Sequence, residues 1–210
     1  LKENNITWKV RKKGLDTIYK EAVRLVKVNG GDYAAASKAL SNWYKKLSDG
    51  DEAKRNSHYS KIDENGVYFP GDISWPGGGG PTYPVHHPVT GKPVKVPSRG
   101  WLFQEDILKE HIKNERVVFG DDEDSVPTFK RYLKETEYEA PYSVFYQDGR
   151  AATKRLRTLM GERVFDYPKD EYVLETLVEM VTSGDEIVLD FFAGSATTAH
   201  AVIALNAKDS

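Results

Sequence analysis

Glu186-Ile187-Val188-Leu189-Asp190 reads as a short apolar strand ending in an acid, and Phe191-Phe192-Ala193-Gly194-Ser195-Ala196 as the small-residue loop that follows it. Residues 197–205 are apolar and predict a helix. Upstream, Leu174, Leu177, Val178 and Val181 recur at helical spacing over residues 173–182, and Gly184-Asp185 supplies a turn. Helix, strand, small-residue loop and helix, in that order, open a doubly wound α/β sheet. Such a loop is a ligand site for two physical reasons. Small residues let a ligand approach the backbone. The start of the next helix offers unpaired N–H groups and a positive dipole end. Asp190 stands at the strand's carboxyl edge, and Gly194 can take positive φ at no steric cost. The three-glycine GxGxxG pattern is missing from this loop, and no Lys follows Gly194 as a phosphate-binding loop requires. One glycine after a strand is read equally well as a structural turn with no ligand.

Working outward from that segment, residues 151–160 predict a helix with Lys154, Arg155 and Arg157 on one side and Leu on the other. Residues 17–28 predict an amphipathic helix carrying Ile18, Ala22, Leu25 and Val26, stopped by Asn29-Gly30-Gly31. Asp32 is placed to cap a second helix over residues 33–47, whose apolar side holds Leu40, Trp43, Tyr44 and Leu47. The pair makes a helical hairpin with a basic outer surface at Lys45 and Lys46. Residues 59–101 are crowded with Pro and Gly, including the run Gly77-Gly78-Gly79-Gly80, which excludes a long helix. Trp75, Tyr83, His86, His87 and Trp101 are interleaved there, and disordered linkers rarely spend so many aromatic residues. The stretch therefore reads as ordered and loop-rich, with short strands over residues 67–69 and 93–96. A short helix over 104–114, a strand over 116–119, an acidic turn over 121–124, and a strand or loop over 128–133 complete the pass.

The sequence has 210 residues, 39% hydrophobic and 30% charged, with a formal net charge of -2. No window approaches the ~18 consecutive apolar residues of a membrane helix. The opening Leu1-Lys2-Glu3-Asn4 carries no secretory pattern, and Leu1 and the final Ala207-Lys208-Asp209-Ser210 predict a piece of a longer chain. Cysteine is absent, which excludes disulfides and thiolate metal sites. A near-neutral sum can hide a basic face. Lys9, Arg11, Lys12, Lys13, Lys20, Arg24 and Lys27 crowd the start, and acids gather at Asp121-Asp122-Glu123-Asp124. Solvated helix faces account for this as well as nucleic acid does. His86 and His87 have no partners at metal-ligand spacing, so a loop role is expected and no metal. The glycine run is read either as a flexible turn or as a close approach to DNA phosphates. Trp75, Tyr83 and Trp101 are read as core first and as base-stacking platforms second.

The residues themselves narrow these alternatives. Asp190-Phe191-Phe192-Ala193-Gly194-Ser195-Ala196-Thr197-Thr198-Ala199-His200-Ala201-Val202 resembles motif I of adenine-specific DNA methyltransferases, in particular the modification subunits of type III restriction systems. Arg163-Val164-Phe165-Asp166-Tyr167-Pro168-Lys169 resembles motif X of the same β-class family, and residues 75–101 are similar to its Gly-rich, His-Pro and Thr-Gly-Lys stretch. In that class the catalytic Asp-Pro-Pro-Tyr motif comes first, target recognition follows, and motifs X and I come last. Neither Asp-Pro-Pro-Tyr nor Asn-Pro-Pro-Tyr occurs here.

The resemblance implies an α/β chain: a remnant of a Rossmann-like methyltransferase sheet over residues 146–210 and an irregular α+β target-recognition domain over residues 1–145. It implies S-adenosyl-L-methionine as cofactor, with Phe192, Gly194 and Ser195 around its methionine moiety and Asp190 near its amino group. Phe165, Pro168 and Lys169 would close the other side, Lys169 near the carboxylate. The family has Gly where Ala196 stands, so φ there is expected to be negative. Catalytic residues are expected to be absent and the chain inactive alone. Lys12, Lys13, Arg99, Lys154 and Arg155 are the candidate contacts to double-stranded DNA. A second modification subunit and a restriction subunit are the implied protein partners, in a bacterial cytoplasm. Two other readings stay open: a non-catalytic DNA-binding specificity module with a vestigial Rossmann-like element, and a nucleotide-binding domain sharing only strand, loop and helix. Exposed Ile187, Val188 and Leu189 are expected to pair with another strand.

Overall fold

The computed structural model describes residues 8–145, 147–182 and 184–208. The opening Leu1-Lys2-Glu3-Asn4 and the closing Asp209-Ser210 lie outside them. In chain order the elements are β1 (Val10–Arg11), α1 (Leu15–Val28), α2 (Tyr33–Lys46), β2 (Lys61–Asp63), β3 (Gly66–Gly71), α3 (Glu105–Lys113), β4 (Val117–Val118), β5 (Thr128–Tyr132), β6 (Tyr138–Glu139), α4 (Gly149–Met160), α5 (Glu171–Val181) and α6 (Thr197–Asn206). Short 3₁₀ turns stand at Ala53–Asn56 and Leu133–Glu135. No helix among the described residues is long and apolar enough to cross a membrane.

The chain divides into two compact units: Lys13–Glu137, and the N-terminal segment up to Lys12 together with everything from Tyr138 onward. Sequence reading puts a boundary after residue 145. The fold puts it before Tyr138 and adds the N-terminal strand to the later unit. The physical reason is a ladder: β1 pairs antiparallel with β6, Val10 opposite Glu139 and Arg11 opposite Tyr138.

In the Lys13–Glu137 unit, α1 buries Leu15, Ile18, Ala22 and Leu25, a stripe at helical spacing. Gly30 and Gly31 take positive φ to turn the chain. Asp32 then caps α2, accepting from the Ala34 and Ala35 amides at 2.9 and 3.0 Å. Leu40 and Tyr44 of α2 complete one core with Ala53, Tyr59, Ile62, Val67 and Leu133. Beneath lies an antiparallel sheet in the order β2-β3-β5-β4. The strand-or-loop alternative at residues 128–133 resolves as β5 running into the 3₁₀ turn.

A second core collects Ile73, Val85, Val94, Trp101, Leu108 and Phe129. It organises the Pro- and Gly-rich stretch, as the aromatic content predicts. The strand expected over residues 93–96 does not form. Pro93 makes only a lone bridge to His86. The His87 amide bonds the Lys92 carbonyl at 2.8 Å, and the Gly91 amide the His87 carbonyl at 2.9 Å, so the segment closes into a turn.

In the other unit, α5 packs on α6. The strand expected over residues 186–190 does not form among the described residues. A strand needs a partner, and residues 186–190 join neither sheet. Ile187 and Leu189 are left 94% and 71% exposed. Every strand pair described is antiparallel, so the architecture is mixed α/β with two small antiparallel sheets.

Candidate functional site

Three segments of the later unit surround a cavity of about 440 Å³. α4 supplies an apolar wall of Ala152, Leu156 and Leu159, with Lys154 and Arg155 at its side. The approach to α5 supplies Pro168, Lys169, Glu171 and Tyr172. The start of α6 supplies Ser195, Thr197 and His200. The volume lies within the range of small-ligand sites, ~300–1,000 Å³. The composition suits an amphipathic ligand with an anionic end: an apolar wall on one side, ammonium and hydroxyl donors on the other.

The loop before α6 is held by its own side chains. Asp190 accepts from the Phe192 amide at 2.9 Å through one oxygen and from the Thr198 hydroxyl at 2.7 Å through the other. The Thr198 hydroxyl and then the Phe192 amide hold its carboxyl below the usual range. A depressed carboxylate contributes its tie above its ordinary pKa and loses it as pH falls through the folded value. At neutral pH the tie is therefore complete. Ser195 and Thr197 share a hydroxyl–hydroxyl bond of 2.7 Å. Gly194 has φ 52°, and the Phe165 ring stands 3.7 Å from where a Cβ would be.

Ala196 contradicts the expectation of negative φ: its φ is 57°, in the left-handed region. It occupies the N-cap of α6, where no side chain caps the helix. The turn demands this conformation, because the Ala196 amide bonds back to the Ala193 carbonyl at 2.6 Å while its own carbonyl takes the His200 amide at 3.0 Å. An L-residue pays roughly 1–2 kcal/mol for this conformation and glycine almost none. Ala196→Gly is expected to stabilise the unit by about 1 kcal/mol, the glycine's unfolded-state entropy offsetting part of the gain. A rise in urea midpoint checks this; a fall would show that the strain is not there.

The predicted residues divide as follows. Pro168, Lys169 and Ser195 line the cavity. Phe165 and Gly194 face each other beside it. Asp190 anchors the loop and does not line the cavity. Phe192 is 92% exposed and does not line it either. Phe191 is exposed too.

The candidate phosphate contacts are divided between the two units. Lys13 and Arg99 belong to one unit, and Lys12, Lys154 and Arg155 to the other. Arg99 donates to Asp72 at 2.6 Å and Ser74 at 2.5 Å. Lys13 faces Glu52 at 3.5 Å, and Lys12 also has an interaction partner. Arg155 is committed to Asp170 and Glu171. His87 is buried: its Nδ1 accepts from the Val89 and Thr90 amides, so its Nε2–H donates to the Gly120 carbonyl at 3.0 Å.

Sequence reading missed the part played by α4, by Thr198 and by the acids of α5. Only Thr198 left a local signal, a hydroxyl in the first turn of α6, eight residues after Asp190.

The profile of the N6/N4 DNA methylase family matches residues 4–208. The modification subunit of the type III restriction-modification enzyme EcoP15I, from Escherichia coli, is 39% identical over 154 residues, 72% of this chain and 24% of that subunit. The StyLTI modification subunit of Salmonella typhimurium is 34% identical over 135 residues, 63% of this chain and 20% of that one. The type II methyltransferase M.KpnI of Klebsiella pneumoniae is 30% identical over 128 residues, 59% and 28%. The chain thus spans about a quarter of the length of these relatives. The match over nearly the whole chain shows it: this is a member of the DNA methylase family, similar to type III modification subunits.

Proposed function

We propose that the chain is the target-recognition and cofactor-binding part of a site-specific DNA adenine-N6 methyltransferase, and that it does not transfer methyl groups alone. The observation that carries this reading is the convergence of Pro168 and Lys169 from motif X with Ser195 from motif I on one cavity. These residues fit S-adenosyl-L-methionine. Lys169 and Ser195 would hold its carboxylate, and the α4 wall would take apolar surface. Asp190 keeps the loop in register. When bound, the cofactor supplies an electrophilic methyl group; the target adenine would have to leave the duplex to reach it. The Asp-Pro-Pro-Tyr motif that would hold that amine is not in the sequence. The Lys13–Glu137 unit is the proposed DNA reader, with double-stranded DNA as substrate, and a second modification subunit and a restriction subunit as partners in the bacterial cytoplasm.

The test is calorimetric titration of S-adenosyl-L-methionine into the chain and into Lys169→Ala. Binding weakened about tenfold in the variant, the value of one charge-assisted hydrogen bond, supports the reading. Equal binding by both removes Lys169 from the site, and no binding by either removes the site. A parallel assay on duplex DNA is expected to show no methylation, and methylation there would overturn the inactive assignment. One observation favours the second reading, a DNA-specificity module without cofactor: Phe192, expected against the methionine moiety, is almost wholly exposed. Duplex binding without cofactor binding would decide for it.

A further inference from the structure

α4 belongs to neither motif, yet it forms the broadest wall of the cavity. One of its residues reaches beyond that wall. Arg155 donates from Nη2 to Asp170 at 2.7 Å and to Glu171 at 3.0 Å, and from Nε to the other Glu171 oxygen. Its guanidinium lies 4.7 Å from the centre of the Tyr172 ring. Asp170 serves two tasks at once: its second oxygen caps α5, accepting from the Tyr172 and Val173 amides at 3.0 and 3.3 Å. Glu171 is buried. Burial is the largest single influence and pushes its carboxyl up, but the Arg155 hydrogen bonds, a backbone hydrogen bond and the Arg155 charge together leave it below the ordinary range.

Asp170 and Glu171 follow Pro168-Lys169 directly in the chain. Whatever fixes the start of α5 therefore fixes the direction from which Lys169 enters the cavity. Arg155 also answers the charge problem. Two carboxylates beside the cavity would otherwise compete for the Lys169 ammonium and repel an anionic ligand group. A planar fork satisfies both acids from a single side chain, which a lysine ammonium cannot do with the same geometry.

We infer that Arg155 is a positioning residue of the cofactor site: it clamps the start of α5 to α4, and so sets Pro168 and Lys169 against the cavity. This rests on the cofactor reading above. It also gives the basic helix a task other than contacting phosphate.

The test uses the whole 210-residue chain, with S-adenosyl-L-methionine titrated into wild type, Arg155→Ala, Arg155→Lys, Glu171→Gln and the double variant Arg155→Ala/Glu171→Gln. Each is measured well below its own unfolding midpoint, with that midpoint recorded. Arg155→Ala is expected to weaken binding about tenfold, and Arg155→Lys to recover part of the loss. The losses from Arg155→Ala and Glu171→Gln should not add, since both break the same clamp. A purely structural role would lower the midpoint and leave affinity unchanged in the folded protein; that result overturns the inference, and so do additive losses. If Arg155→Ala does not fold, Arg155→Lys decides alone: weakened binding supports the clamp and unchanged binding overturns it. No binding by wild type overturns the cofactor reading and the role of Arg155 with it, whereas binding by wild type and equal binding by Arg155→Ala overturns the role only.

Discussion

Gly100→Ala is expected to cost the Lys13–Glu137 unit about 3–5 kcal/mol, combining left-handed strain with overpacking against fixed backbone. Gly100 has φ 79°, and an added Cβ would overlap the carbonyl group of Gly80 and lie 2.7 Å from its Cα. Neither strand of this contact can retreat. The Trp75 amide donates to the Gly100 carbonyl at 2.9 Å, the Gly80 amide to the Arg99 carbonyl at 3.0 Å, and the Trp101 amide to the Pro81 carbonyl at 2.8 Å. Shifting either segment breaks those bonds and drags Trp101 from its core. Gly78→Ala separates the two contributions. Gly78 has φ 87°, but a Cβ there meets nothing within 4 Å. It should cost only about 1 kcal/mol, the conformational part alone. Urea unfolding of both variants is the measurement. Equal losses would mean that the Gly80–Gly100 approach is not rigid.

The same loop shows what could be read from the sequence and what could not. The glycine run carried two readings, turn or phosphate cradle. The structure splits it: Gly80 is needed for backbone packing, while Gly77, Gly78 and Gly79 stand in open space. No pattern within the run marks that division, because it depends on Gly100, twenty residues on. Where the cause is local, the sequence is a good guide. The α1–α2 hairpin follows from apolar spacing, two glycines and the Asp32 cap, all within one stretch of chain. Where the cause is a distant partner, it is not. β1 and β6 are two residues each and exist only through each other. Residues 186–190 have the composition of a strand and no strand to pair with among the described residues, so composition alone misreads them.

The site divides along the same line. Pro168, Lys169 and Ser195 are the candidates that a family pattern marks, and they line one cavity. Arg155 was legible only as a positive charge. Its acids lie fifteen and sixteen residues ahead, across a turn that periodicity does not describe. A basic helix face reads as a surface for phosphate until the carboxylates that occupy it are seen. Ala196 fails differently. Its methyl argued for negative φ, but the Ala193 turn and the start of α6 fix the backbone from both sides, and the residue tolerates the strain.

Trp101→Ala should destabilise the same unit by about 3–5 kcal/mol, the range for deleting a buried aromatic side chain. The ring is fully buried among Ile73, Val85, Val94, Leu108 and Phe129, and stacks on Tyr83 at 6.0 Å with 30° between planes. Its indole N–H donates to the Tyr83 carbonyl at 2.9 Å, so truncation leaves a cavity and an unpaired acceptor together. Trp101→Phe keeps much of the volume and loses the bond; it should cost less than half as much. Trp75 is the counterpart: 37% exposed, beside the open glycines. Trp75→Ala should lower the urea midpoint less than Trp101→Ala does, since the side chain is more exposed than Trp101 and belongs to neither core cluster. The two tryptophans thus separate core from surface within one loop system. If Trp75→Ala weakens duplex binding while stability holds, the glycine tip and its indole are the DNA-facing part of this unit. If Trp75→Ala unfolds the unit as Trp101→Ala does, both rings are core, and the DNA-reading surface must be sought elsewhere on the unit.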